Sequence, residues 1–349
     1  MDKDVMMTKN LTPARLLDIG FGFAPAQTLL AATALGLFTK LGDQAMTAKE
    51  LGDRLGLHPA DRARVDFFDA LVALQILERQ GNGAKALYRN TPESGLFLDK
   101  AKPSYVGGIL EMSQARLFPF WADLKTALLT GRPQNEIKHN GKPLFEELYA
   151  DPARLEQFMR AMAGISRGNF QSFVDQFDFA PYQTYCDVGG ATGLLAGMVA
   201  RAKPHLTVAT YDLPVVAPIA TRALDDQGLG GKVQVLAGDF LKEKLPRADV
   251  ISMGMILHDW NMEGKMHLIR AAYDALPEGG AFVVIEHMID NERRTNSFGL
   301  MISLNMLIEF GDAFDYTAAE FEGWCREVGF TRFQTIPLTP VASAAVAYK

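Results

Sequence analysis

Asp187-Val188-Gly189-Gly190-Ala191-Thr192-Gly193 closes a β-rich run, Thr184-Tyr185-Cys186, and leads into an apolar helical stretch from Leu194. A glycine-rich turn between a strand and a helix lets backbone approach a ligand closely. Working outward, TVATYD (207–212), VQVLAGD (233–239), ADVISMG (248–254) and GAFVVIEH (280–287) are further short β-rich runs, each followed by a loop. The helical stretches LLAGMVARA (194–202), VVAPIATRALDDQ (215–227) and GKMHLIRAAYDAL (264–276) separate them. This alternation predicts a parallel sheet in a doubly wound α/β domain over 181–349. FTRFQTIPLT and SAAVAYK read as a closing pair of strands.

Upstream the pattern changes. Residues 11–100, within a first domain over 1–104, read as helices followed by a short β element. Thr12-Pro13 is a helix start, and Ala14 to Phe38 has a long helical character. MTAKELGDRLGL and HPADRARVDFFDALVALQILERQ form a helix–turn–helix pattern, with Thr47 and Glu50 as a capping box. Gly81-Asn82-Gly83 is the turn of a hairpin that returns through ALYRNT. The whole is winged-helix-like and suits DNA binding or dimerisation. Asp61, Asp66, Asp69 and Glu78 on the second helix favour dimerisation. Residues 105–180 read as a helical layer rich in methionine and aromatics, among them Phe118, Trp121, Met159 and Met162. Such stripes serve as core or line an adaptable apolar pocket.

The 349 residues carry a net charge of −6, with 48% apolar and 22% charged residues. That composition excludes a mainly disordered chain and a basic nucleic-acid footprint. Two cysteines, Cys186 and Cys325, argue against a disulfide framework and fit a reducing cytoplasm. The charged N-terminus is no secretory signal, and the apolar stretches break before 18 residues, so no membrane span is expected. Six scattered histidines lack metal-site spacing, so no metal is expected.

Three acids sit at three successive strand ends. Asp187 precedes the glycine turn. Asp212 lies close to the spacing of roughly 20 residues at which a carboxylate meets ribose hydroxyls. Asp239, followed by Phe240, suits an adenine amino group and ring. Ala191 and Leu194 replace the second and third glycines of a dinucleotide fingerprint, so a pyrophosphate is poorly served. A nucleoside with positive charge and no phosphate fits instead, which indicates S-adenosylmethionine. His258, in Leu257-His258-Asp259-Trp260, falls at the switch point of the sheet and suits a general base. Trp260 suits the second face of the adenine. Glu286 and Asp315 are placed to orient the base, or to cap and pair locally.

In order and spacing, DVGGATG, YDLPVV, GDF, LHDWN, ALPEGGAFVVIE and FDYTAAEFEGW resemble the class I S-adenosylmethionine-dependent O-methyltransferases of the plant caffeate and bacterial polyketide or phenazine type. The resemblance covers nearly the whole chain. It implies a Rossmann-like sheet of order 3-2-1-4-5-7-6, an N-terminal winged-helix-like dimerisation domain and an intimate homodimer. By position it implies His258 as base, with Glu286 and Asp315 orienting it. Ser166, Asp187, Gly189, Asp212, Leu213, Asp239, Phe240 and Trp260 fall at donor positions. Phe118, Trp121, Met159, Met162, Asn305 and Met306 fall at acceptor positions. Three departures stand out: Ala191 for the middle glycine, Gly254 for a cofactor-contacting lysine of the plant members, and Asp315 for a Glu.

The expected reaction moves a methyl group to a hydroxyl of a small aromatic acceptor and leaves S-adenosylhomocysteine. An alternative is S-methylation of a thioether or thiol, such as 4-methylthio-2-hydroxybutyrate on the dimethylsulfoniopropionate route, by proximity and desolvation without a base. N- or C-methylation, and a DNA-binding regulator, are further alternatives.

Overall fold

The computed structural model describes residues 11–140 and 148–349. The chain divides into two compact units, Met1–Ala115 and Arg116–Lys349, so residues 116–180 lie in the second unit.

In the first unit the stretch 14–38 is helical as expected, in three helices, Ala14–Gly20, Phe23–Ala34 and Leu37–Leu41. A turn at Phe21-Gly22 and a left-handed Gly36 (φ 69°) separate them. Pro13, not Thr12, takes the N-cap position, and no side chain caps it. By length and composition alone the run Ala14–Ala34 is apolar enough to cross a membrane, a test that core helices also pass. Its first helix buries no residue, and Leu16, Leu17, Ile19, Phe21 and Phe23 are exposed.

β1 (Met46–Thr47) precedes α1 (Ala48–Leu55), and α2 (Asp61–Ala73) follows. Thr47 and Glu50 form the expected capping box. β2 (Leu77–Gln80) and β3 (Leu87–Asn90) are the hairpin, and β1 pairs with β3 to complete a three-stranded sheet. Leu51, Phe68, Leu71 and Tyr88 pack the core between helices and sheet. The arginines of α2 are engaged within the unit. Buried Arg64 donates to the His58 carbonyl and to Asp53, and Arg62 pairs with Asp66.

The second unit contains the long helix α3 (Pro152–Gln176) and a seven-stranded sheet. Its strands are β4 (Thr184–Val188), β5 (Thr207–Asp212), β6 (Val233–Ala237), β7 (Val250–Gly254), β8 (Ala281–Glu286), β9 (Arg332–Thr339) and β10 (Ala342–Tyr348). Their order is β6-β5-β4-β7-β8-β10-β9, which is the expected 3-2-1-4-5-7-6. β6 through β8 are parallel, and β10 runs antiparallel to both β8 and β9.

Side chains alternate across each strand. Val283 and Ile285 of β8 enter one core with Phe173 and Phe177 of α3 and with Leu195 and Val199 of α4 (Leu194–Ala202). Phe282 and Val284 enter the other core with Leu268 and Ile269 of α6 (Met262–Ala275). α5 (Ala217–Asp226) lies against β6, whereas α8 (Ala318–Val328) packs on α6. Between β8 and α8 runs α7 (Ser297–Phe310), capped by the Asn296 side chain.

Candidate active site

β4 and β7 are adjacent, and strand order reverses between them, so a ligand crevice is expected at their carboxyl ends. Two non-glycine residues there hold left-handed backbone, Ala191 (φ 49°) after β4 and Met255 (φ 56°) after β7. Such backbone is sterically costly for residues with a Cβ and clusters at functional sites.

The glycine turn is cut to fit its neighbours. A Cβ on Gly189 would lie 2.5 Å from the Ile256 side chain, and one on Gly190 would lie 2.0 Å from Thr210 Oγ1. Asp212 holds the turn open, accepting from the Ala191 N–H at 2.8 Å and the Leu213 N–H at 2.7 Å. Burial raises the Asp212 pKa and those two bonds oppose the rise. Asp187 is buried under the turn, where it accepts from the Ser252 hydroxyl at 2.7 Å. Ser252 in turn shares a 2.6 Å hydrogen bond with Tyr185. Burial pushes Asp187 up to about 7.

After β6, Asp239 accepts from the Leu241 N–H at 3.0 Å and pairs with Lys242 at 2.8 Å, which holds its pKa low. The Phe240 and Trp260 rings meet edge to face, 6.0 Å apart at 85°. The Trp260 Nε1 is buried with no hydrogen-bond partner. Ser166 is buried on α3. A close backbone cradle, an acid at each strand end, two aromatic walls and an unsatisfied indole N–H fit a cation-bearing nucleoside. Gly254 has no room for a side chain, because its Cβ would meet the Phe170 ring at 2.7 Å.

His258, Glu286 and Asp315 converge although they come from three separate segments. One ligand-type atom from each lies within 4.8 Å of the others, and all three are buried. His258 Nδ1 is 3.3 Å from Asp315 Oδ1 and 3.9 Å from Glu286 Oε2. Glu286 Oε1 also accepts from the Leu257 N–H at 3.0 Å, so it both caps this loop and faces the imidazole. Asp315 does not cap α8; Thr317 does, in a box with Glu320. On the other edge of the ring, Asp259 Oδ1 is 3.4 Å from His258 Nε2. Burial works against a charged imidazole, but Glu286, Asp259 and Asp315 override it and push His258 up to about 10. Burial likewise raises Glu286 to about 7 and Asp259 to about 6, with His258 opposing in each case.

Of the acceptor positions, Trp121 Nε1 donates to Asn305 Oδ1 at 2.9 Å. Phe118 is exposed and Met306 buried, while Met162 is half-buried. Met159 packs in a cluster with Leu148, Leu155, Val216 and Ile219, against which Leu213 also rests. Sequence reasoning missed two charged residues of this cluster, Asp259 beside the imidazole and Lys265, whose charge acts on Asp259 and Glu286. Asp259 was visible only as the neighbour of His258 in sequence. Lys265 occupies the buried stripe of α6 with Leu268, Ile269 and Ala272, and that i, i+3, i+4, i+7 spacing was the available signal.

Residues 121–331 match the family model of the O-methyltransferase domain, and residues 17–100 match that of the O-methyltransferase dimerisation domain. The chain is 37% identical to the tetracenomycin polyketide synthesis 8-O-methyl transferase TcmO of Streptomyces glaucescens, over 97% of each chain. It is 35% identical to the N,N-dimethyltransferase OxyT of Streptomyces rimosus, over 93% of this chain and 94% of that one. The crystal structure of human N-acetylserotonin methyltransferase in complex with SAM superposes with a TM-score of 0.89, at 27% identity and 99% coverage of each chain.

Proposed function

This chain belongs to the S-adenosylmethionine-dependent O-methyltransferase family, and we propose that it methylates a hydroxyl of a small aromatic acceptor with His258 as general base. The observation that carries the reading is the buried imidazole at the end of β7, with Asp315 and Glu286 on its Nδ1 side and Asp259 beside Nε2. S-adenosylmethionine, when bound, supplies an electrophilic methyl group on a sulfonium.

The chain's own residues divide the remaining work. Asp212 and Leu213 take the ribose end, with Asp239, Phe240 and Trp260 around the adenine. Gly189 gives close backbone approach, and Ser166 and Asp187 lie on the amino-acid side. Asp315 and Glu286 flank the Nδ1 edge of His258, and Nε2, which Asp259 approaches to 3.4 Å, is the nitrogen to receive the acceptor proton. A phenol with a pKa of about 10 is matched in proton affinity by an imidazole raised to about 10. Positive charge arriving with the donor favours the neutral ring and so readies it as a base. Phe118, Trp121, Met162, Asn305 and Met306 supply an apolar wall with one fixed amide for the acceptor. Met159 supports that wall from the α5 side. The 8-O-methyl transferase named above supports a polyketide phenol as the acceptor class.

The exposed apolar residues of Ala14–Gly20 and the match over 17–100 support a homodimer formed through the N-terminal unit. Amine methylation is a second reading, favoured by the 35% identity to the N,N-dimethyltransferase. A thioether has no proton to lose and would leave the buried His258 group without a task.

The test is a screen with labelled donor against hydroxylated aromatics, aromatic amines, thiols and thioethers. Hydroxylated aromatics are expected to accept label, and His258→Ala should lower their turnover roughly a hundredfold or more. Near-normal turnover in that variant overturns the base assignment.

A further inference from the structure

Among the described residues Lys265 is the only fully buried lysine, with 0% exposure. A buried ammonium persists only where other groups compensate its lost hydration. Here it donates to the carbonyl of Trp260. The same ammonium stands 4.0 Å from the centroid of the Phe314 ring and 5.6 Å from that of Tyr316. Rings at those distances stabilise a cation through their faces. Trp324 of α8 braces both rings edge-on from behind, at 6.3 Å and 5.2 Å.

One side chain therefore joins two segments that both serve the site. The loop after β7 carries His258, Asp259 and Trp260, and the segment before α8 carries Phe314, Asp315 and Tyr316. A second tie, from the Asn261 amide to Asp312 at 2.8 Å, runs in parallel at a more exposed position. The Trp260 side chain has room beside α6 because residue 264 is glycine, whose Cβ would lie 2.8 Å from that of Trp260.

We propose that Lys265 is a positioning residue for adenine-nucleoside binding: its ammonium pins the Trp260 carbonyl against the Phe314–Tyr316 segment and so fixes the indole that walls the adenine. The inference rests on the reading of Trp260 as an adenine wall and goes beyond it by assigning what holds that wall. Neutral Lys265 can still donate an N–H to the carbonyl, but that bond loses its charge assistance and the amine loses the cation's attraction to the two rings. The loop then slackens, and the nucleoside binds more weakly.

Burial lowers the Lys265 pKa to about 8, while Glu286, Asp315, Asp259 and Asp312 oppose the fall. Asp259, near 6, titrates below that value and His258, near 10, above it, while Glu286 and Asp187, both near 7, titrate at the lower edge of the range, so the Lys265→Met profile sets their contribution apart.

The experiment measures the affinity of the full-length protein for 5′-methylthioadenosine by calorimetry. That probe keeps the adenine and ribose and lacks the α-amino and α-carboxyl groups of the donor, so it does not titrate in this range. For the unaltered protein, affinity should fall about tenfold from about pH 7 to about pH 9.5, with a midpoint near the Lys265 value of about 8. Lys265→Met should bind about tenfold more weakly at pH 7 and show no fall across the range. Lys265→Arg, which stays charged, should hold its affinity at the alkaline end. A flat profile in the unaltered protein overturns the proposal, whether or not the variants fold. A profile in Lys265→Met parallel to the original overturns it too. Failure of the probe to bind at any pH would instead strike the adenine reading of Trp260 itself.

Discussion

His258 Nδ1 stands 3.3 Å from Asp315 Oδ1, with both side chains buried. The two residues come from different connections of the sheet, one after β7 and the other between α7 and α8. A carboxylate at that distance favours the protonated ring and would steady the imidazolium formed if His258 acts as the proposed base.

Asp315→Asn tests that relationship. Burial already disfavours the charged imidazole, and the variant removes one of three carboxylates that override burial. His258 should therefore give up its proton at lower pH. A base works when neutral, so the acid limb of the pH–rate profile should move to lower pH. The plateau rate should fall by roughly tenfold, about 1.4 kcal/mol of barrier, because the imidazolium loses a partner. Initial rates with a hydroxylated aromatic across pH decide it, and an unmoved limb removes Asp315 from the base.

Gly190→Ala tests the donor cradle. The new Cβ would fall 2.0 Å from Thr210 Oγ1 and 3.0 Å from Asp187 Oδ2, so the turn must move away from β5. Asp212 would then lose its hold on the Ala191 N–H. Calorimetry should show affinity for S-adenosylhomocysteine reduced more than about tenfold, since a misplaced turn leaves polar groups unpaired. Thr210→Ala in the same chain should recover part of the loss by removing the nearer clash. Wild-type affinity in the single variant would mean that the turn has slack.

Much of this site was legible because its residues stand at strand ends that follow strong β runs. His258, Glu286, Asp187, Asp212 and Asp239 are each located once the five parallel strands are. Asp315 was ambiguous because it precedes a helix and could have capped it. Thr317 and Glu320 take that role and release it for His258. The contact of Asp259 with the imidazole depends on the left-handed Met255 and the tight turn over Leu257–Asp259, which no periodicity encodes. Lys265 was hidden by its type, since a lysine in an amphipathic stretch reads as surface even at a buried spacing. β1 escaped because two residues carry no period of their own, and only β3 makes them a strand.

Asp187→Asn tests the cost of the buried acid beneath the turn. Burial raises its pKa from 3.8 to about 7, so between those values the folded chain holds a proton that the unfolded chain has released. The stability contributed by this group is present below 3.8 and is lost as pH rises through about 7. The amide of Asn is neutral throughout and can still meet the Ser252 hydroxyl. Melting curves at about pH 5 and about pH 8 should show a smaller drop for the variant than for the original, by about 2–4 °C for each kcal/mol involved. Parallel drops in the two proteins would show that Asp187 stays charged in the fold.

Arg116→Met tests what holds α7 in place. Arg116 reaches Glu136 through two bonds of 2.6 and 2.8 Å and Glu309 through one of 3.1 Å. Glu309 also receives the Asn135 amide at 3.1 Å, and its side chain is only 3% exposed. α7 carries Asn305 and Met306, proposed above to meet the acceptor, and this knot holds the end of that helix. Removing the guanidinium leaves two carboxylates facing each other with little water, and breaking a buried pair from one side costs about 3–5 kcal/mol. Urea denaturation should show a loss toward the lower end, because Glu136 keeps Arg154 at 3.7 Å. The double variant with Glu309→Met should regain most of the loss, since the stranded charge is gone. A single variant within about 1 kcal/mol of the original would mean that the knot behaves as an exposed surface pair.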